Sequence, residues 1–143
     1  MGKLSNRQPI MQYKNEKQLY KSLREWQDRL FLNDWIIKVS FVDSIEDDEG
    51  NQLQGINNFQ IENKACHIKL LKPNSDAKSR IVKFCMELTL VHELLHCKYN
   101  WCAAPQSHEG VYYDVSEHAL IEQMAKSLIM AKYDLSFDWF KNF

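Results

Sequence analysis

No apolar run in this 143-residue chain approaches the length that spans a bilayer. A membrane-spanning protein is therefore not expected. Residues 1–11 lack the apolar core of a secretory signal, so the expected location is the cytoplasm. Neither sign of charge dominates: 18 basic side chains face 19 acidic ones, for a formal net charge of −1. Without a broad basic field, nucleic acid is not an expected partner. The four cysteines, Cys66, Cys85, Cys97 and Cys102, contain no C-x-x-C pair, which argues against a structural zinc knuckle. In a reducing compartment they should be free thiols, most of them packed as small hydrophobes. Repeats and linkers are also missing. One domain over residues 1–143 is expected, with residues 1–14 as a loose arm.

What the chain does contain is Val91-His92-Glu93-Leu94-Leu95-His96. Two histidines four residues apart lie on one helix face, one turn from each other, so both imidazoles can reach one ion. This is the H-E-x-x-H pattern, in which the histidines bind zinc and the glutamate is general base on zinc-bound water. Chance gives it in roughly one chain in a hundred of this composition. No glycine or proline interrupts residues 83–98, so a helix can form there. Phe84, Cys85, Met86, Leu88, Leu90, Val91, Leu94 and Leu95 make it apolar nearly all round. Two histidines and a glutamate on a buried helix need partners, and a metal supplies one.

The rest of the chain reads as α+β. Residues 16–32 form an amphipathic helix, with Leu19, Leu23, Trp26, Leu30 and Phe31 at helical spacing and Asn33-Asp34 as its stop. Residues 35–42 alternate as a strand, Trp35, Ile37, Val39 and Phe41 on one face. The acidic stretch 43–50 lacks the ligand spacing of a calcium loop and reads as a solvated turn. Residues 53–59 form a weaker strand, because Asn57 and Asn58 interrupt it. Ala65 to Leu71 is a better one. Residues 73–76 form a turn, and Asp76 caps a motif helix over residues 77–98. A loop over residues 99–113 carries Pro105 and Gly110, and Asp114 or Ser116 caps a last helix to Lys132. The aromatic tail, residues 133–143, is expected to pack on the body.

A catalytic zinc needs a third protein ligand. Downstream candidates are His108, Glu109, Asp114, Glu117, His118 and Glu122. Glu122 heads the apolar stripe through Ala125 and Ile129, and small Ala125 lets two helices approach closely. Glu117 heads a second stripe through Ile121, Met124 and Leu128. His118 lies one turn before Glu122, either as ligand or as its partner. The ranking is Glu122, Glu117, His118.

Thr89 to His96 followed by Glu122-Gln123-Met124-Ala125-Lys126-Ser127-Leu128-Ile129 resembles the small single-domain H-E-x-x-H peptidases of the gluzincin type. These include the ImmA/IrrE-like and phage-encoded mini-gluzincin groups. The resemblance implies a zincin-like domain: a small mixed sheet packed on the motif helix and on a C-terminal ligand helix. It implies zinc held by His92, His96 and Glu122, the last as the glutamate of an E-x-x-A helix. It also implies an edge strand before the motif helix, here Ala65 to Leu71, to which an extended peptide adds. Lys126 stands where Asp or Asn is often found, and no helix-turn-helix domain accompanies the site, so a repressor-cleaving role does not carry over.

The reading is thus a zinc metallopeptidase acting on a peptide or protein, with Glu93 as general base and His108, Tyr112 or Tyr113 as candidate oxyanion donors. Two other classes share the motif. One is a phage or host-defence binding protein with a structural zinc. The other is a zinc hydrolase of a non-peptide substrate.

Overall fold

The computed structural model describes residues 7–72, 85–103 and 111–141, with the side chains of 101–103 and 111–116 outside the description. Its elements run α1 (Glu16–Leu30), β1 (Ile36–Val42), β2 (Gly55–Gln60), a 3-10 turn (Ile61–Asn63), β3 (Ala65–Leu71), α2 (Met86–Ala103), α3 (Val111–Tyr133) and a second 3-10 turn (Phe137–Phe140). The class is α+β, as the patterning predicts.

Helix α1 starts where Asn15 accepts a hydrogen bond from the Gln18 backbone N–H, at 2.9 Å. Its buried stripe is Leu19, Leu23, Trp26 and Leu30, the predicted spacing. The stripe stops short of Phe31. That residue turns left-handed, with φ 62°, and is 83% exposed. Leu32 then donates its N–H back to the Gln27 carbonyl, closing the helix two residues earlier than the apolar pattern suggests.

The sheet has the order β1-β3-β2. Strands β1 and β3 run parallel, Ile36 opposite Ala65 through Val42 opposite Leu71. Strand β2 runs antiparallel to β3, Gly55 opposite Leu70 through Gln60 opposite Ala65. This overturns one expectation: Ala65–Leu71 is the central strand, and β1 and β2 are the edges. The reason lies in composition. Cys66, Ile68, Leu70 and Leu71 are buried and suit a strand flanked on both sides. The Asn57 and Asn58 that weaken β2 as a strand suit an edge.

Helix α2 crosses the sheet and is buried along Met86, Leu88, Leu90, Val91, Leu94, Leu95 and Cys97. The N-terminal arm meets its first turn, where Met86 and Glu87 donate their N–H groups to the carbonyls of Met11 and Ile10. Helix α2 runs five residues past Lys98, and α3 starts at Val111, ahead of Asp114. No glycine or proline lies between Lys98 and Pro105 to stop α2 sooner. The expected turn at 73–76 and the expected start of the motif helix lie outside the described residues. Helix α3 packs along α2 through buried Ile121, Ala125 and Ile129. In the tail, Phe140 is buried while Phe137 is exposed.

A node that patterning does not reveal joins these parts. Glu87 is 0% exposed. Its carboxylate accepts from the Ile10 N–H at 2.8 Å, Trp26 Nε1 at 2.8 Å, Lys132 Nζ at 2.7 Å and the Tyr133 hydroxyl at 2.6 Å. The arm, α1, α2 and α3 thus meet on one charge.

Gly55 sets how closely β2 lies on α2. A Cβ there would stand 2.7 Å from Thr89 Cγ2 and 3.2 Å from Leu70 Cδ2. Thr89 is held in place, its hydroxyl 3.1 Å from the Cys85 carbonyl and 3.3 Å from Gln54 Oε1. Gly55→Ala should therefore cost about 1–3 kcal/mol by overpacking. Urea denaturation of Gly55→Ala, Thr89→Ser and the double variant checks this. Coupling in which Thr89→Ser recovers part of the loss is expected, because the clashing methyl is gone.

Candidate metal centre

Helix α2 presents His92 and His96 one turn apart, their ring centroids 5.0 Å from each other. Helix α3, brought close by Ala125, adds His118, whose ring lies 5.7 Å from His92 and 4.9 Å from His96. One ligand atom from each of the three residues lies within 4.8 Å of the other two. Three Zn–N bonds of about 2.1 Å draw such atoms to roughly 4 Å or less, so a small inward movement closes the set. The donor set suits zinc.

The two glutamates of the ranking occupy a different position. Glu122 Oε1 is 2.8 Å from His92 Nδ1, and Glu117 Oε2 is 3.1 Å from His96 Nδ1. A carboxylate on Nδ1 fixes the N–H there and turns the Nε2 lone pair outward, which is how metal-binding histidines are oriented. Asn100 steadies the second pair, donating from Nδ2 to Glu117 at 3.0 Å and to the His96 carbonyl at 2.8 Å. Lys126, the departure from the gluzincin pattern, stands 3.6 Å from Glu122. The sequence ranks His118 last, yet it groups with the motif histidines. A signal for this was present. Each helical histidine needs an Nδ1 partner, and two glutamates on one helix can supply both.

The electrostatics follow from burial. His96 is pushed down to about 4, first by desolvation and then by neighbouring His92, so its imidazole stays neutral. Burial pulls His92 down too, but the Glu122 hydrogen bond and the nearby Glu93 outweigh it and leave His92 raised. The His92 bond lowers Glu122. Glu93 is 7% exposed, and desolvation pushes it up to about 7, with Glu122 adding to the rise.

Glu93, Glu122 and the three histidines line a cavity of about 550 Å³ together with Gln54 and, from β2, Gly55 to Asn57 and Phe59. In the sequence Asn57 signals only a weakened strand. Its Nδ2 donates to the Glu93 carbonyl at 2.8 Å and to Cys97 Sγ at 3.1 Å, tying the edge strand to the motif helix. His108 and Glu109 lie outside the described residues, as do the side chains of Tyr112, Tyr113 and Asp114. Among the described residues, no helix is long and apolar enough to cross a membrane.

No protein-family model matches the chain, and no curated protein or solved structure is detectably similar to it.

Proposed function

We propose that this chain is a zinc-dependent metallopeptidase. The observation that carries the reading is a pair of carboxylate-held histidines, joined by a third histidine, beside a buried glutamate in an open cleft. His92, His96 and His118 would hold the zinc, and Glu122 and Glu117 would orient two of them. The reading keeps the gluzincin resemblance at His92, Glu93 and His96 and departs from it at the third ligand. Bound zinc supplies Lewis acidity to a scissile carbonyl and acidifies an attacking water.

Glu93 takes the proton of that water on its carboxylate and returns it to the leaving amine. Without metal, burial raises this carboxylate to about 7; the charge of a bound cation would draw it back toward the ionised form that a general base needs. Peptide, rather than another carbonyl substrate, is favoured by the edge strand. Leu71 donates its N–H to the Gln54 carbonyl, which sets the alternation of the β2–β3 ladder. The backbone groups of Gly55, Asn57 and Phe59 then point to the open side of β2. An extended peptide adds there, next to the histidines. This replaces the expectation that Ala65–Leu71 receives substrate. The proposal includes a reducing, cytoplasmic setting, in which Cys66, Cys85 and Cys97 rest as the free thiols seen here.

Elemental analysis of the purified protein, paired with digestion of an unfolded protein, tests the reading. Close to one zinc per chain is expected, together with proteolysis that a chelator stops and zinc restores. Hydrolysis indifferent to the chelator would remove the metal from the mechanism. A zinc-loaded protein with no activity on peptides would leave only the site.

A further inference from the structure

We propose that Cys66 and Cys97 are a redox pair whose disulfide clamps the central strand to the metal-bearing helix. Cys97 directly follows His96 on α2, so its side chain leaves the helix about 100° away from the imidazole. It points down to the sheet. There it meets Cys66 on β3, with the two sulfurs 3.5 Å apart. A disulfide needs about 2.05 Å, so a closing movement of roughly 1.5 Å forms the bond. Cys85 sits three turns earlier on the chain, its sulfur directed at the Ile10 carbonyl, and does not compete.

Two features set the pair apart from cysteines that merely fill space. Packing alone does not require two sulfurs to face each other. A polar side chain is also directed at the pair: Asn57 gives an amide hydrogen to Cys97 Sγ, while its own Oδ1 is buried without a partner among the described residues. The clamp goes beyond the peptidase reading and does not depend on it. It would tie β3 to α2 one residue past a metal histidine, so the oxidation state of the sulfurs and the rigidity of the centre are joined.

The oxidant is a small peroxide. Both residues are buried; with Cys97 at 0% exposure, the attack is taken at Cys66, whose residue is 8% exposed. Its thiol gives up two electrons to hydrogen peroxide, forming sulfenic acid and releasing one water. The Cys97 thiol then displaces hydroxide from that sulfenic sulfur. The S–S bond forms, the S–O bond breaks, and the thiol proton leaves with the hydroxide as a second water. Two thiols and one peroxide become one disulfide and two waters.

The test is peroxide treatment of the native, full-length protein as purified, read by intact mass, peptide mapping and melting temperature. The expected result is a loss of about 2 Da per chain, a cross-linked peptide joining Cys66 to Cys97, and a melting temperature raised by several degrees through restriction of the unfolded chain. Cys66→Ala and Cys97→Ala should each lose the mass change. If Cys97→Ala does not fold, Cys66→Ala carries the same comparison. All four thiols remaining free after treatment would overturn the proposal. So would a cross-link through Cys85 or Cys102, or a bond that leaves the melting temperature unchanged. None of these readouts needs zinc or activity, so failure here is distinct from failure of the peptidase reading.

Discussion

Glu93→Gln is expected to keep the fold and the zinc while slowing peptide hydrolysis by about 100-fold or more. The side chain keeps its shape, and the His92, His96 and His118 nitrogens are untouched. What is lost is the carboxylate that accepts a proton. The buried position makes the substitution informative in a second way. In the metal-free protein Glu93 is raised from its ordinary 4.5 to about 7. An acid raised on folding stabilises the protein fully below the unfolded value and loses that contribution as pH climbs through the folded value. Metal-free wild type should therefore weaken more than Glu93→Gln between about pH 4.5 and 7. Steady-state kinetics and zinc content check the first claim, and denaturation against pH checks the second. A glutamine variant that turns over like wild type would end the peptidase mechanism.

Glu87→Ala carries the largest expected loss of stability. Removing this carboxylate leaves the Lys132 ammonium, whose side chain is 2% exposed, with Glu25 at 2.9 Å as its remaining carboxylate, and strands the Trp26, Tyr133 and Ile10 donors. Breaking a buried ion pair from one side costs about 3–5 kcal/mol. That is a large share of the roughly 5–15 kcal/mol that holds a domain of this size together. The hydroxyl of Tyr133 is already pushed upward, by burial and then by its bond to Glu87, as suits a permanent donor. Lys132→Met added to Glu87→Ala should recover part of the loss, since the buried cation left with half its pairing is gone and the partly exposed Glu25 can turn to water. Chemical denaturation decides this. A single variant within about 0.5 kcal/mol of wild type would mean that water or a rearranged partner replaces Glu87.

The Glu87 node shows where sequence patterning stops. Periodicity locates α1, β1 and β3 because alternation and helical spacing are local signals that burial enforces. Glu87 is one charged residue on a helix that is apolar on every side, and nothing local tells which four donors converge on it. Strand order is equally non-local. The strand next to the motif helix in sequence, Ala65–Leu71, is the centre of the sheet because β2 folds back along its far side. The third ligand is the sharpest case. Glu117, His118 and Glu122 fall within two turns of α3, and all three face α2. Spacing alone cannot separate the residue that meets a metal from those that meet the Nδ1 of a histidine. Only the relative placement of the two helices does so.

That placement leads to the most direct measurement. His118→Ala, Glu122→Ala and Glu117→Ala can each be loaded with zinc and titrated against a chelator of known affinity. A true ligand, once removed, weakens zinc binding by orders of magnitude. A carboxylate that only orients a ligand costs about 10- to 100-fold. The account predicts that His118→Ala gives up its zinc first, while Glu122→Ala and Glu117→Ala hold it with affinities lowered within that range. Glu122→Ala losing its zinc outright while His118→Ala keeps it would contradict the three-histidine centre and return Glu122 to the metal.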